Sequence, residues 1–283
     1  MQQKFIKGIR YLPTLPTVLA QILALLNDDR SSARDLESII THDQALSSKV
    51  LTVANSAYYG FRHKILTVRR AVVALGYEEI RNICLGASLM GFLHPSSFRD
   101  RQAAELLWLH SVCVADAASV VAAQVEGADR DVAFTAGLLH DLGKVVLAGF
   151  FPEDADQVRE LMDREGLSYR QAEKAHDAEH AKIGSALCEY WDLPPRLAEA
   201  VGMHHDLHSG LVYFQDAALV HVADFLSREA QVGDSGNPDP PEVKTMVVGK
   251  LGLEGGGLKA CAQELDSRRA KVISLWQMLL KQP

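Results

Sequence analysis

The stretch 137–144, GLLHDLGK, decides how the rest of the chain is read. It sets His140 beside Asp141 directly after an apolar run, with Lys144 three residues on. Taken alone, the pair is ambiguous. An ion pair inside a helix, or a helix end surfacing into solvent, accounts for it as well as a metal site does. On one helix over about 130–150, Gly137, Asp141, Lys144 and Ala148 share a face, and His140 and Lys144 lie a turn apart. The three polar groups can therefore converge. Phe134 and Leu138 flank that face and place the group partly indoors, where an unpartnered Asp or Lys is costly. Partners must come from elsewhere.

Upstream, in a long helix near 102–125, Leu106, His110, Cys113 and Ala117 fall at i, i+4, i+7 and i+11. His110 therefore points inward. A lone inward histidine is more often a hydrogen-bonded core residue than a ligand. Downstream, HDAEHAKIGSALCEYW (176–191) spaces His176 and His180 so that both could chelate one metal. Only His180 leads an apolar stripe, of Ile183, Leu187 and Trp191, so His180 is read as inward and His176 as surface. LAEAVGMHHDLHSG (197–210) offers His204 and His205, for which a solvated loop is the plain alternative. In YFQDAALVHVADFL (213–226), Asp224 lies on the apolar stripe of Tyr213, Ala217, Val220 and Ser227, while His221 lies on a neighbouring face and is set aside.

The collective signal exceeds any member. His110, His140, Asp141, His180, His204, His205 and Asp224 arise from five helices in chain order. Imidazoles and carboxylates without thiolate suit iron, manganese or zinc rather than calcium alone. Seven donors exceed one tetrahedral site. They suit two ions sharing an aspartate, about 3.5–4 Å apart, which can clamp a phosphoryl group. Lys144 would neutralise phosphate charge beside them.

Composition sets the frame. The 283 residues are 48% apolar and 7% aromatic, rich in Leu and Ala, which favours helix. The net charge of -7 argues against general nucleic-acid binding, which needs excess Lys and Arg. The basic run GFRHKILTVRR (60–70) reads as a solvated helix face and loop. Cys84, Cys113, Cys188 and Cys261 form no CxxC and read as core thiols in a reducing compartment. Without an apolar leader or a run of about 18 apolar residues, the expected location is cytoplasmic, with no membrane association. Helical spacing dominates throughout: a start near Pro16 with a stripe of Val18, Ile22, Leu25 and Leu26, an N-cap at Ser32 with Asp35, and a stop at Gly76. The fold class is all-α. HPSSFRDRQ (94–102) marks a boundary, giving an N-terminal bundle over 1–98, a metal-binding bundle over 99–230 and a loop-rich segment with a last helix over 231–283.

The ordered set H…HD…H…HH…D resembles the HD superfamily of metal-dependent phosphohydrolases. LPTLP (12–16), DQALSSKVLTVANSAYYG (43–60), TVRRAVVALG (67–76) and IRNICLG (80–86) are similar to the HDOD family, as are GLLHDLGKVVL (137–147), EHAKIGSALCEYWDLP (179–194) and AVGMHH (200–205). The likeness spans roughly residues 10–230. It implies an N-terminal helical bundle packed on an HD-type bundle, in a bacterial signalling or regulatory module with a protein partner. Many such proteins lack a full metal set, whereas every HD-type two-metal position is present here. HHDLHSGLVYF (204–214) lacks the GYP segment of cyclic-dinucleotide phosphodiesterases. Leu106 stands where trimetal relatives place a glutamate, so two ions are the ceiling.

The resemblance therefore implies a regulatory protein with a dinuclear centre of divalent or transition ions, iron first, manganese or zinc next. The alternative is an active phosphohydrolase or phosphodiesterase on a nucleotide or other phosphate ester, with Asp141 and Lys144 as catalytic residues. Di-iron oxygen chemistry, which some HD relatives perform, is a third reading.

Overall fold

The computed structural model describes residues 4–5, 8, 15–25, 30–56, 59–92 and 98–280. Leu26, part of LPTLP, residues 57–58 and the first residues of the 94–102 boundary lie outside them. Among the described residues every regular element is a helix, so the chain is all-α. Its contacts divide it into two compact units, residues 15–93 with 268–283, and residues 1–14 with 94–267.

The first unit contains α1 (Thr17–Ala24), α2 (Ala33–Thr41), α3 (Gln44–Ala54), α4 (Val68–Leu75) and α5 (Tyr77–Phe92). Polar side chains set the helix starts. The Ser32 backbone N–H donates to Asp35 Oδ2 (2.9 Å) ahead of α2, and Asp43 Oδ1 accepts from the Leu46 N–H (2.8 Å) at α3. Each such cap contributes about 1 kcal/mol. Helix α1 buries Leu19, Ile22 and Leu23, while Val18 and Leu25 are only half-buried, so its inward stripe is rotated from the one expected. Leu36, Ile40, Val50, Ile80 and Leu85 are buried with them, each contributing about 1.5–3 kcal/mol. Asn55 fixes the loop before α4: its Nδ2–H donates to the Ile65 carbonyl and its Oδ1 accepts from the Ile65 N–H, both at 2.7 Å.

The second unit contains α6 (Arg101–Ala122), α7 (Arg130–Leu139), α8 (Leu142–Phe150), α9 (Pro152–Glu165), α10 (Tyr169–Ala175), α11 (His180–Tyr190), α12 (Pro195–Met203), α13 (Phe214–Glu229) and α14 (Thr245–Lys250). Helix α15 (Gly257–Leu280) begins in this unit and ends in the other. Helix α6 lies along α7 and α13, and α11 against α8 and α12. The α6–α13 core is built largely from small residues, Ala117, Ala118, Ala217, Ala218 and Ala223, with Val114, Val121 and Leu219. Small side chains let the two helices approach closely. The two most apolar stretches, Arg101–Ala122 and Arg130–Phe150, have 78% and 83% of their most apolar window buried in the protein, so packing accounts for their composition.

Three features differ from expectation. The helix expected over 130–150 breaks at His140 and Asp141 into α7 and α8, with His140 closing one and Asp141 opening the next. Helix α14 forms within the stretch expected to be loop-rich, ahead of the last helix. Residues 231–267 are not a separate segment: Val247, Leu251, Leu253 and Cys261 enter the same core as α6 and α13. These are long-range contacts that periodicity does not encode.

Candidate metal centre

The break between α7 and α8 places His140 and Asp141 at the middle of the second unit, both almost fully buried. From α6 comes His110, from α11 His180, from the end of α12 His204 and His205, and from α13 Asp224. The structure brings all seven expected residues together. His110 Nε2 lies 3.1 Å from Asp224 Oδ1 and 3.7 Å from Asp141 Oδ2. His140 Nε2 lies 3.3 Å from Asp141 Oδ2, and His180 Nε2 lies 3.3 Å from Asp141 Oδ1. The rings of His180 and His205 are 5.2 Å apart, and those of His204 and His205 3.9 Å. Two groups result, each with ligand atoms within 4.8 Å of one another: His110, His140 and Asp141, and His180, His204 and His205. Asp141 turns one carboxylate oxygen towards each.

The second ring nitrogen of three histidines is held in place. His140 Nδ1–H donates to the Gly137 carbonyl (2.8 Å) and His204 Nδ1–H to the Val201 carbonyl (2.7 Å). A carbonyl only accepts, so the proton sits on Nδ1 and the Nε2 lone pair faces inward. His180 Nδ1 lies 2.7 Å from both oxygens of Glu173. The inward atoms, His110, His140, His180 and His204 Nε2 with Asp141 and Asp224 Oδ1, are buried and have no hydrogen-bond partner. Their close approaches lack hydrogen-bond geometry. Unpartnered polar atoms in a core cost about 1–3 kcal/mol each. Six facing one another are what a cation site requires, and the donor set fits a borderline transition metal.

Electrostatics agree with that donor state at His110, His204 and His205, and oppose it at His140. Burial, reinforced by neighbouring imidazoles, pushes His204 and His205 well below the usual imidazole range and keeps them neutral. Burial also lowers His110. Burial opposes charge on His140 too, but Asp141 beside it outweighs this and raises it. Burial would raise Asp141, yet His140 and Lys144 hold it well below the usual carboxylate range. Asp224 is likewise held low against burial, by His110.

Lys144 Nζ donates to Asp141 Oδ2 and to the Ser235 carbonyl, both at 2.9 Å, and stands 5.3 Å from the Tyr169 ring centre. Helix α11 approaches α8 at Gly143, where a Cβ would overlap the His180 carbonyl. That glycine explains the G of HDLGK: it lets α11 bring His180 to Asp141. The segment after α13 crosses the same region. The Asp234 N–H donates to the Leu106 carbonyl (3.0 Å), and Lys244 Nζ donates to the His205 carbonyl (3.0 Å). At Gly233, φ is +74° and a Cβ would overlap the His110 backbone.

The family-model comparison matches the HDOD domain over residues 12–207. The chain belongs to the HDOD family. The matched span includes His110 to His205, while Asp224 lies beyond it and joins the site by geometry. An HDOD domain protein of unknown function from Geobacter sulfurreducens is 27% identical, with a TM-score of 0.80 over 99% of this chain and 97% of that one. An uncharacterized protein of Treponema pallidum is 25% identical over 197 residues, 69% of this chain and 38% of its own length. A ribonuclease Y of Thermus thermophilus is 33% identical over 139 residues, 49% of this chain and 18% of its own. The chain thus spans well under half the length of these curated relatives.

Four contributors were not anticipated. Glu173 orients His180, Tyr169 faces Lys144, Ser235 accepts from it, and His221 braces the site. His221 is buried; its Nδ1–H donates to the His204 carbonyl (2.9 Å) and its Nε2 accepts from the Lys244 N–H (3.2 Å). With both nitrogens used, it is a brace and not a donor. His176 is not a solvated surface residue: it is part-buried, with Nε2 2.9 Å from Asp154 Oδ1. Glu173 is one of three acidic residues in AEKAHDAEH (172–180), with Asp177 and Glu179, and only the structure singles it out.

Proposed function

We propose that this chain is a bacterial signalling or regulatory protein whose HD-type unit carries a dinuclear metal centre. His110, His140 and Asp224 would hold one ion, and His180, His204 and His205 the other, with Asp141 shared between them. The observation that carries this reading is the set of six buried, unpartnered ligand atoms facing one another. The Nδ1 contacts and Glu173 support it, because such outer partners fix a ligating imidazole and strengthen it as a donor. Iron is the first candidate, then manganese or zinc. The separate helical unit over 15–93, which phosphate-ester hydrolysis would not need, favours the regulatory role and a protein partner.

A second reading is a metal-dependent phosphohydrolase or phosphodiesterase acting on a nucleotide or other phosphate ester. Lys144 favours it: a buried ammonium beside the shared carboxylate suits a phosphoryl oxygen. The partial likeness to a ribonuclease Y is compatible with phosphodiester chemistry in this unit. When bound, the ions would supply Lewis acidity to a phosphoryl group. The chain's own part is to hold His110, His204 and His205 neutral and keep Asp141 ionised, with Lys144 placed to orient the anion.

The test is metal analysis after growth with iron, manganese or zinc, followed by assay of phosphomonoesters, nucleotides and cyclic dinucleotides. About two ions per chain without turnover supports the regulatory reading. Metal-dependent turnover lost in Asp141→Ala replaces it with the enzymatic one. Fewer than about one ion per chain overturns the centre itself.

A further inference from the structure

Beside the metal centre lies a second feature that the site does not use. A cleft of about 170 Å³ opens between α6, α8 and α9, under residues 234–236. Its walls include Leu107, Trp108, Val145, Leu147 and Val158, all apolar. No metal-donor residue lines it. Lys144 and Tyr169 form its inner end, and Arg99 and Arg159 stand at its rim. Lys144 reaches both ways. Two of its three N–H donors go to Asp141 and Ser235, and the third is left for a ligand. At the rim, Asp156 is already engaged by Arg99 (3.5 Å) and Arg159 (3.0 Å), and Glu153 by Arg99.

We propose that this cleft binds a small anion with a one-ring aromatic body, the ring lying against Trp108 and Val145 and the anionic end meeting Lys144. Size argues for one ring: an apolar cavity of about 150 Å³ accommodates benzene. Chemistry argues for the anion, because Lys144 closes the inner end and two guanidinium groups flank the entrance. The body is largely apolar because Leu107, Val145, Leu147 and Val158 offer it nothing to hydrogen-bond, while the lining carboxylates Asp100 and Asp234 are turned to main chain, accepting from the Ala103 and Gly236 N–H groups. Lys144 sits 2.9 Å from the shared aspartate, so ligand in the cleft acts on the metal centre through that contact. The proposal deepens the dinuclear reading, but its test needs no metal and no turnover.

The probe is phenylphosphonate, a single-ring anion without a scissile ester, titrated calorimetrically into the full chain. Methylphosphonate, which lacks the ring, is the comparison. Two variants fill the cleft from opposite walls: Ala103→Trp, at an exposed position that tolerates bulk, and Ala148→Phe, at a half-buried one. Metal content and melting temperature are recorded for each. The expected result is 1:1 binding of phenylphosphonate, at least about tenfold tighter than methylphosphonate, and weakened at least about tenfold in Ala103→Trp with metal content unchanged. Ala148→Phe gives the same loss where it folds. No binding at millimolar ligand, equal binding of the two phosphonates, or undiminished binding in Ala103→Trp overturns the cleft. Low metal content with ring-dependent binding intact supports the cleft while rejecting the dinuclear centre.

Discussion

In the unit of residues 15–93 and 268–283, Arg81 is the one buried charged side chain among the described residues, lying over the Tyr77 ring at 5.5 Å. In the unit of residues 1–14 and 94–267, the buried set includes His110, His140, Asp141, Lys144, Glu173, His180, His204, His221 and Asp224. Both are helical and both are organised by capped helices around an apolar interior. The first buries mainly apolar side chains. The second places imidazoles and carboxylates where desolvation works against them, and leaves six of their atoms facing one another. Costs of that kind persist where a bound group offsets them. The candidate chemistry therefore belongs to one unit, and the contrast can be tested by perturbing each in turn.

The largest effect is expected for Asp141→Ala. It removes the oxygens facing both groups of histidines and leaves Lys144 buried without its carboxylate. Metal content should fall towards zero. Stability should drop by about 3–5 kcal/mol, the usual cost of stranding a buried charge. Hydrogen exchange should place the loosening in residues 94–267. Equal loss of protection in residues 15–93 would break the contrast between the units. The converse variant is Leu36→Ala, a fully buried leucine of α2. It should cost about 2–5 kcal/mol and leave metal content unchanged. Metal loss in Leu36→Ala would mean that the centre depends on the other unit's packing.

Acid should also separate the two. In metal-free protein, burial holds His110, His204 and His205 below the ordinary imidazole value of about 6.5 that applies when unfolded. The unfolded chain then binds more protons in acid. The stability these residues contribute is fully present above about pH 6.5 and is lost as the pH falls towards their folded values. His140, raised by Asp141, acts in the opposite sense, with stability present below pH 6.5 and lost as the pH rises through its folded value. Asp141 and Asp224 are depressed and add a further loss below about pH 3.8. His42 and His63, in the other unit, are exposed. Chelated protein should therefore lose exchange protection in residues 94–267 first as the pH is lowered from 7 to 5, roughly the range of imidazole titration. Simultaneous loss in both units would show that the buried histidines do not set acid stability.

Glu173→Gln probes the support of one ligand. The carboxylate contacts His180 Nδ1 through both oxygens, and an amide keeps the shape but not the charge. Metal affinity should weaken about 10–100-fold, with little change in melting temperature of the chelated protein. An unchanged affinity would reduce Glu173 to a packing residue.

These variants also separate what was legible in the sequence from what was not. The donor types, their order and their inward stripes were readable, because periodicity reports which face of a helix is apolar. His180 with Ile183 and Leu187 is the clear case. The break at His140 and Asp141 was not readable, since the flanking residues suit one continuous helix. Glu173 was hidden because α10 and α11 are joined through residues 176–179, with Asp177 at a φ of +55°, and helical spacing does not carry across such a joint. The covering segment was hidden for a simpler reason. Ser235 meets Lys144 across 91 residues, and no local pattern announces a backbone carbonyl as a partner.

The smallest expected effects belong to the two histidines that the geometry sets apart from the donors. His176 is part-buried beside Asp154, which Lys4 also engages, so removing the ring leaves the carboxylate paired. His176→Ala should cost at most about 1 kcal/mol and leave metal occupancy intact. His221 touches the site through main chain alone, bridging the His204 carbonyl and the Lys244 N–H. His221→Ala should lower stability by about 1–3 kcal/mol, since two buried groups lose their partner, again without loss of metal. His110→Ala and His180→Ala should both lower metal occupancy. The pattern across the four distinguishes ligation from burial: all four are wholly or partly buried, and only the two whose Nε2 lacks a partner should matter to the metal. Equal metal loss in all four would mean that occupancy follows the integrity of the helical bundle and not the identity of the donors.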